Sequence, residues 1–377
     1  MTTTARTTPA RVLIAADKFK GSLTAVEVAE HVTAGIRKAR PEAEVEAVPV
    51  ADGGDGTVAA AVANGFARHE AEVTGPLGAP VTAAFALRGA TAVVEMAESS
   101  GLQHLPPGVF TPLTATTYGA GELLLAAVEA GARTIIFGVG GSASTDGGAG
   151  MLDALGARLL DRDGDPVPYG GGGLRELVSA DLSGLDARLR DVDVVLASDV
   201  DNPLTGPKGA AAVYGPQKGA SEEDVALLDA ALAHLADVLG ETETAEAPGA
   251  GAAGGIGFAA LVGLGARFRP GIEVLMEELD VGAAISRASL VITGEGSLDE
   301  QTLHGKAPAG VAAAAREAGK PVVAVCGRLA IGKKPLKDAG IDRAYVLTDL
   351  EPDVSRCIAN AGPLLESLAE QLANDNL

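Results

Sequence analysis

Five short stretches set glycines among acidic, hydroxyl or basic side chains directly after apolar runs: ADKFKGS (16–22), ADGGDGT (51–57), GVGGSASTDGG (138–148), SDVDNPLTG (198–206) and TGEGSLDEQT (293–302). Gly, Asp, Asn and Ser dominate turns for conformational reasons, so any one of these alone reads as an ordinary turn. Five of them at strand ends call for a shared cause. A glycine-rich turn entering a helix lets backbone N–H groups approach an anion, and the helix N-terminus adds partial positive charge. GVGGSASTDGG follows RTIIF and has that form, with Ser142, Ser144 and Thr145 as additional donors. Carboxylates in such loops repel phosphate unless a divalent cation bridges the two, so the neighbouring acids point to Mg²⁺ and its oxygen ligands. Asp146, the one charge in the longest loop, reads as a neighbour of that cation or as a loop cap.

Cations are scarce. The 377 residues carry a net charge of −21 with no block of Lys or Arg, which excludes a nucleic-acid partner. Because charges are screened over about 8 Å at physiological salt, single lysines beside glycine would decide whether an anion binds. Such lysines are Lys18 and Lys20 around Phe19, Lys218 at the end of YGPQK, and Lys306 after His304 and Gly305. GRLAIGKK (327–334) matches a P-loop only up to Lys334, where Ser or Thr is needed for the metal. GVGGSA and GIGFAA fit G-x-G-x-x-A, but STDGG breaks the helix expected after the first, and the second follows glycine-rich coil. A dinucleotide oxidoreductase stays open on that ground. No G-x-S-x-G elbow occurs, and the histidines at 31, 69, 104, 234 and 304 lack metal-ligand spacing.

The elements that must hold these loops form a pattern. VLIAA (12–16) leads to a helix marked by Thr24 and Glu27 at capping-box spacing, then VEAVPV leads through ADGGDGT to a second helix. That β-α-β-α opening is the signature of an open parallel sheet with ligand loops at strand C-termini. From about 70 to 96, strand-length runs follow one another without helices, which predicts a different, partly antiparallel sheet. Residues 221–240 read as helix and ETETAEAPGAGAAGG (241–255) as a loop or surface linker. ASLVITGEG, a helix over about 305–318, KPVVAVCG, DRAYVLT and a last helix restore the alternation. The expected architecture is α/β: a Rossmann-like parallel-sheet domain (11–75 and 288–377) interrupted by a second, mixed-sheet α/β domain (76–287), after a flexible tail (1–10). A cleft between two such domains is the default site. No apolar run reaches membrane-spanning length and MTTTARTTPA has no apolar core segment, which predicts a cytoplasmic protein. Cys326, in PVVAVC, reads as a small buried hydrophobe, and two cysteines support neither a disulfide framework nor a thiolate zinc site.

These loops, in this order, resemble the glycerate kinase family of the type without a P-loop. The likeness is carried by ADKFKGSLTA, PVADGGDGT, VEMAESSGL, GVGGSASTDGGAGMLDALGA, SDVDNPLTGPKGAAAVYGPQKGA and VITGEGSLDEQTLHGKAPAGVA, spanning residues 16–312. The resemblance implies ATP- and Mg²⁺-dependent phosphorylation of D-glycerate, giving 2-phosphoglycerate, by a monomer or homodimer. In such a reaction an alkoxide must form, which makes Asp199 the first choice and Asp52 the second for the catalytic base, with Lys20 as a catalytic cation. Gly140, Gly141, Ser142, Lys218 and Lys306 would bind nucleotide and phosphate. Asp17, Lys18, Gly21, Ser22, Ser99 and Ser100 would bind substrate, and Asp55, Asp201, Glu295 and Asp299 the metal. Lys18 and Ser198 stand where Ser and Cys are common in the family, and ASTDGG where ATNDGG is common. A kinase for another small hydroxy acid, or a non-catalytic nucleotide-binding regulator, fits the same loops.

Overall fold

The computed structural model describes residues 9–377, the His304 side chain excepted; the expected tail, up to Thr8, lies outside the described residues. The described residues form two compact units, one joining those up to Asp52 to Ile272–Leu377 and the other comprising Gly53–Gly271. In chain order the strands are β1 (Arg11–Ile14), β2 (Glu44–Ala47), β3 (Ala67–Thr74), β4 (Pro80–Arg88), β5 (Thr91–Glu95), β6 (Thr134–Gly138) and β7 (Arg158–Leu160). They continue with β8 (Ser179–Asp181), β9 (Asp193–Ala197), β10 (Arg267–Arg269), β11 (Leu290–Leu298), β12 (Val322–Leu329) and β13 (Arg343–Val346).

The first unit holds a parallel sheet in the order β13-β12-β11-β1-β2. Its central strands are unbroken apolar runs, VLI, LVIT and VVAVC, because helices cover a parallel sheet on both faces. Helix Ala25–Ala39 starts at the anticipated capping box, Thr24 with Glu27, and turns Val28, Val32 and Ile36 into the core. It packs along the C-terminal helix Ala361–Asn376, where Gly35 lets the Glu366 carbonyl approach so closely that an added Cβ would stand 2.2 Å from it. Strand order reverses between β1 and β11, and in open α/β sheets ligands bind outside the strand C-termini at that switch point.

The second unit contains a mixed sheet in the order β10-β9-β6-β5-β4-β3. β10, β9, β6 and β5 run parallel, while β4 and β3 are antiparallel, as the helix-free run of strands foreshadowed. β7 and β8 form a separate antiparallel pair. The core around Phe85, Val94, Leu123, Ile135, Phe137, Met151 and Leu196 makes this sheet a rigid floor for the loops at its edge.

Two expectations differ from what is found. The units meet at 52/53 and 271/272, where the sequence places limits near 75/76 and 287/288. Alternation of strand and helix does not reveal which sheet a strand joins: β3 pairs along its whole length with β4, and helix Thr57–Ala63 packs on β4 and β5. Helix Val281–Arg287 packs on β1 and on helix Ala307–Glu317, which places it with the first unit. Residues 241–255 are also not the surface linker their composition suggests. Thr242–Ala245 is helical, Ala250 and Ala252 are fully buried, and helix Ala252–Leu264 begins with a kink at Ala253, Gly254 and Gly255. Its small residues, which imitate linker composition, serve close packing.

Candidate functional site

In the first unit, the chain leaving β1 continues the ladder, with the Asp17 N–H donating to the Gly294 carbonyl at 2.8 Å. It then folds into a tight turn bridged from Phe19 to Leu23, in which Gly21 takes a φ of +81° and the Ser22 hydroxyl donates to the Phe19 carbonyl at 3.0 Å. Lys20 is exposed at the tip, and its backbone passes over Gly296 of β11. Beside the turn lie three carboxyl groups. Burial pushes Asp17 up to about 7, opposed by the Lys18 ammonium 3.9 Å away and reinforced by Asp52 and Glu295. Glu295 is raised by its own burial, against a hydrogen bond from the Thr302 hydroxyl and the charge of Lys306. Asp299 accepts the Gln301 and Thr302 N–H groups and so caps the turn after β11, and Lys306 is the N-cap residue of helix Ala307–Glu317. Acids and lysines thus gather at the C-terminal ends of β1 and β11, the switch point of the sheet.

In the second unit, every loop of interest follows a parallel strand. β5 ends at Glu95, β6 runs into GVGGSASTDGG, β9 into Ser198 and Asp199, and β10 toward Gly271. The turn Gly53–Gly56 lies across the first part of the glycine loop: the Gly140 N–H donates to the Gly53 carbonyl at 3.3 Å. An added Cβ on Gly140 would stand 2.4 Å from Gly54, and one on Gly141 would strike the Asp55 carboxylate. These glycines are therefore required by loop-on-loop contact, a demand independent of any anion. Asp199 accepts the Gly271 N–H at 2.8 Å, and Asp201 is exposed near Tyr214. Ser99 and Ser100 are fully buried; the Ser99 hydroxyl donates to Met96, and the Ser100 carbonyl accepts the Ala143 N–H, so this segment backs the glycine loop.

The rest of the loop is held by two buried charges. Asp146 accepts from the Thr117 N–H and hydroxyl, from Gly148 and from Gly150, tying the loop to the starts of helices Tyr118–Glu129 and Ala149–Ala154. Of the two sequence readings this geometry is that of the loop cap, and burial still raises its proton affinity. Lys218, only 2% exposed, donates through Nζ to the Ser142 hydroxyl at 2.6 Å and to the Ser144 carbonyl. Burial lowers it to about 7, with Asp146 pulling the other way.

Glu95 escapes the sequence reading. It accepts N–H bonds from Gly56 at 3.1 Å and Val58 at 3.2 Å, fixing the turn that carries Asp55, and burial pushes it up to about 8. Its signal was an acid ending the apolar run TAVVE, which nothing distinguishes from a strand stop without knowing that the strand is central.

Parallel strands ending in glycine loops, with carboxylates and lysines at the same ends and no complete P-loop motif, define a phosphate-handling α/β protein. Residues 12–376 match the model of the glycerate kinase family. The chain is 46% identical over 370 residues to a glycerate kinase of Bacillus subtilis strain 168, covering 96% of this chain and 97% of that one. It is 47% identical over 348 residues to a glycerate 2-kinase of Escherichia coli K12, covering 90% and 91%. A crystal structure from Salmonella typhimurium LT2, provisionally named glycerate kinase 2, superposes with a TM-score of 0.84 at 42% identity, covering 97% and 98%. The chain belongs to the glycerate kinase family and is a phosphotransferase. GIGFAA, one of the two dinucleotide look-alikes, is a buried part of helix Ala252–Leu264.

Proposed function

We propose that the protein transfers the γ-phosphoryl group of ATP to the 2-hydroxyl of D-glycerate, giving 2-phosphoglycerate and ADP. The observation that carries this reading is the glycine loop after β6, held in place by two buried charges, in a chain that matches glycerate kinases along nearly its whole length. Phosphoryl transfer asks a protein mainly for positioning and charge neutralisation. Gly141 and Ser142 would take the nucleotide phosphates, while Gly140, whose N–H donates to the Gly53 carbonyl, would hold the loop beside them. Lys20 and Lys306, with Lys18 beside Asp17, would take the glycerate carboxylate and the charge that develops on the transferring group.

The hydroxyl proton needs an acceptor, and two carboxylates suit the task. Asp199 stands at the end of β9, oriented by the Gly271 N–H. Asp17, with its proton affinity brought to about 7, is matched to proton transfer near neutrality.

Mg²⁺ is typically held by one or two carboxylates plus waters and substrate phosphates. The described residues hold no group of three or more His, Cys, Asp or Glu placed to grip a metal by themselves. Asp52 and Glu295 nonetheless fit such an ion: both are oxygen donors, and each acts through its charge on Asp17, so the carboxyl groups lie near one another at the strand ends. Those two residues would hold it, and it would neutralise phosphate oxygens. Asp299, committed to its turn, is a weaker partner.

The test is ADP release measured across a panel of hydroxy acids. D-Glycerate should give the highest kcat/KM. If tartronate, hydroxypyruvate or lactate is preferred, the substrate is wrong and the kinase class stands; ATP binding without ADP release on any of them would indicate a regulator.

A further inference from the structure

Lys218 sits where a charged side chain is costly. An ammonium removed from water persists only with close partners, and this one has the Ser142 hydroxyl, the Ser144 carbonyl and, at longer range, Asp146. A serine hydroxyl offers one donor and two acceptor positions, whereas an ammonium only donates. With Nζ on its oxygen, Ser142 must turn its own hydrogen away from Lys218. The next two hydroxyl side chains of the loop, Ser144 and Thr145, are buried and have no hydrogen-bond partner. The loop therefore holds three hydroxyls with donor capacity unspent on the protein, beneath which lies a single buried cation. From the other side, the Gly147 N–H donates to the Gly254 carbonyl at 3.0 Å, and an added Cβ on Gly254 would stand 2.1 Å from the Ser144 carbonyl. The Ser144 peptide is thus gripped between Lys218 and the 253–255 kink.

We propose that Lys218 is a positioning residue that never touches the nucleotide: through Ser142 Oγ and the Ser144 carbonyl it sets the loop and turns the Ser142 hydroxyl into a donor for a phosphate oxygen of ATP. The inference rests on the reading of this loop as the nucleotide-phosphate loop. It separates Lys218 from Lys20, which is exposed and free to move onto a ligand.

The test is calorimetric titration of the intact protein with ATP and Mg²⁺, without glycerate, for the wild type, Lys218→Met, Ser142→Ala and the double variant. Methionine keeps the length of the side chain but leaves the Ser144 carbonyl and the buried Asp146 without their cation, so the melting temperature of each variant is read beside its affinity. Each single substitution should weaken ATP binding about tenfold, the scale of one hydrogen bond to a charged group. The double variant should be no more than about threefold weaker than the worse single one, because the two residues act through one contact. Affinity of Lys218→Met within about twofold of wild type, or full additivity in the double variant, overturns the proposal. If Lys218→Met does not fold, Ser142→Ala decides: ATP binding weakened about fivefold or more at unchanged melting temperature supports it, and unchanged affinity overturns it. Additive variants of a wild type that binds ATP leave the kinase reading standing, whereas a wild type that binds no ATP removes both.

Discussion

At the scale of single residues, the chemistry divides between groups that meet the reactants and groups that hold those groups in place. Asp17→Asn and Asp199→Asn separate the two candidate proton acceptors. The variant lacking the true acceptor should lose about 100- to 10,000-fold in kcat with little change in KM for glycerate, and steady-state kinetics on both reads the difference. Lys20→Ala should fold normally and lose about 100- to 1,000-fold in turnover, the usual cost of one transition-state donor; near-normal turnover would remove Lys20 from the mechanism. Asp146→Ala should act on stability. It strands three backbone N–H groups in a dry interior, at about 1–3 kcal/mol each, so urea unfolding should show a loss of at least about 3 kcal/mol with the Mg²⁺ requirement unchanged. A fall in Mg²⁺ affinity at unchanged stability would instead make Asp146 a neighbour of the metal.

At the scale of elements, Glu95 links β5 to the 53–57 turn. Its proton affinity in the fold, about 8, lies above the ordinary carboxylate value, so the folded state binds the extra proton between roughly pH 4.5 and 8. The stability this represents is full at low pH and is lost as pH rises through 8. Wild type should therefore lose stability relative to Glu95→Gln between pH 5 and 8, by at least about 1 kcal/mol in denaturant titrations; parallel pH profiles would show that Glu95 is not the titrating group. Much of this level was legible in the sequence. The capping box at Thr24, the parallel core runs and the helix-free strands of the second sheet all follow from local pattern. The kinked start of helix Ala252–Leu264 was not, because Gly and Ala packed beneath a loop have the same composition as a linker. Nor was the meaning of Gly140 and Gly141, whose missing side chains make room for the 53–56 turn.

At the scale of the whole molecule, the two sheets and the return of the chain to the first could be read from the order of strand-like runs, while their limits could not, since strand partnership is non-local. Lys218 shows the same limit at the site: its place beside glycine drew attention, but its burial depends on a contact with Ser142, 76 positions away. None of the described helices is long and apolar enough to cross a membrane. The net charge of −21 opposes an anionic substrate until local lysines take over. ATP association should accordingly quicken as salt is raised from about 20 to 150 mM, over which the screening length falls to about 8 Å. Stopped-flow binding reads this, and a rate that falls with salt would mean that local cations dominate the approach.

The central claim is most directly tested by phosphorus NMR of the product formed from D-glycerate, ATP and Mg²⁺. The account predicts a new phosphomonoester signal from 2-phosphoglycerate with matching ADP. A signal from 3-phosphoglycerate, or ATP left unchanged, would contradict it.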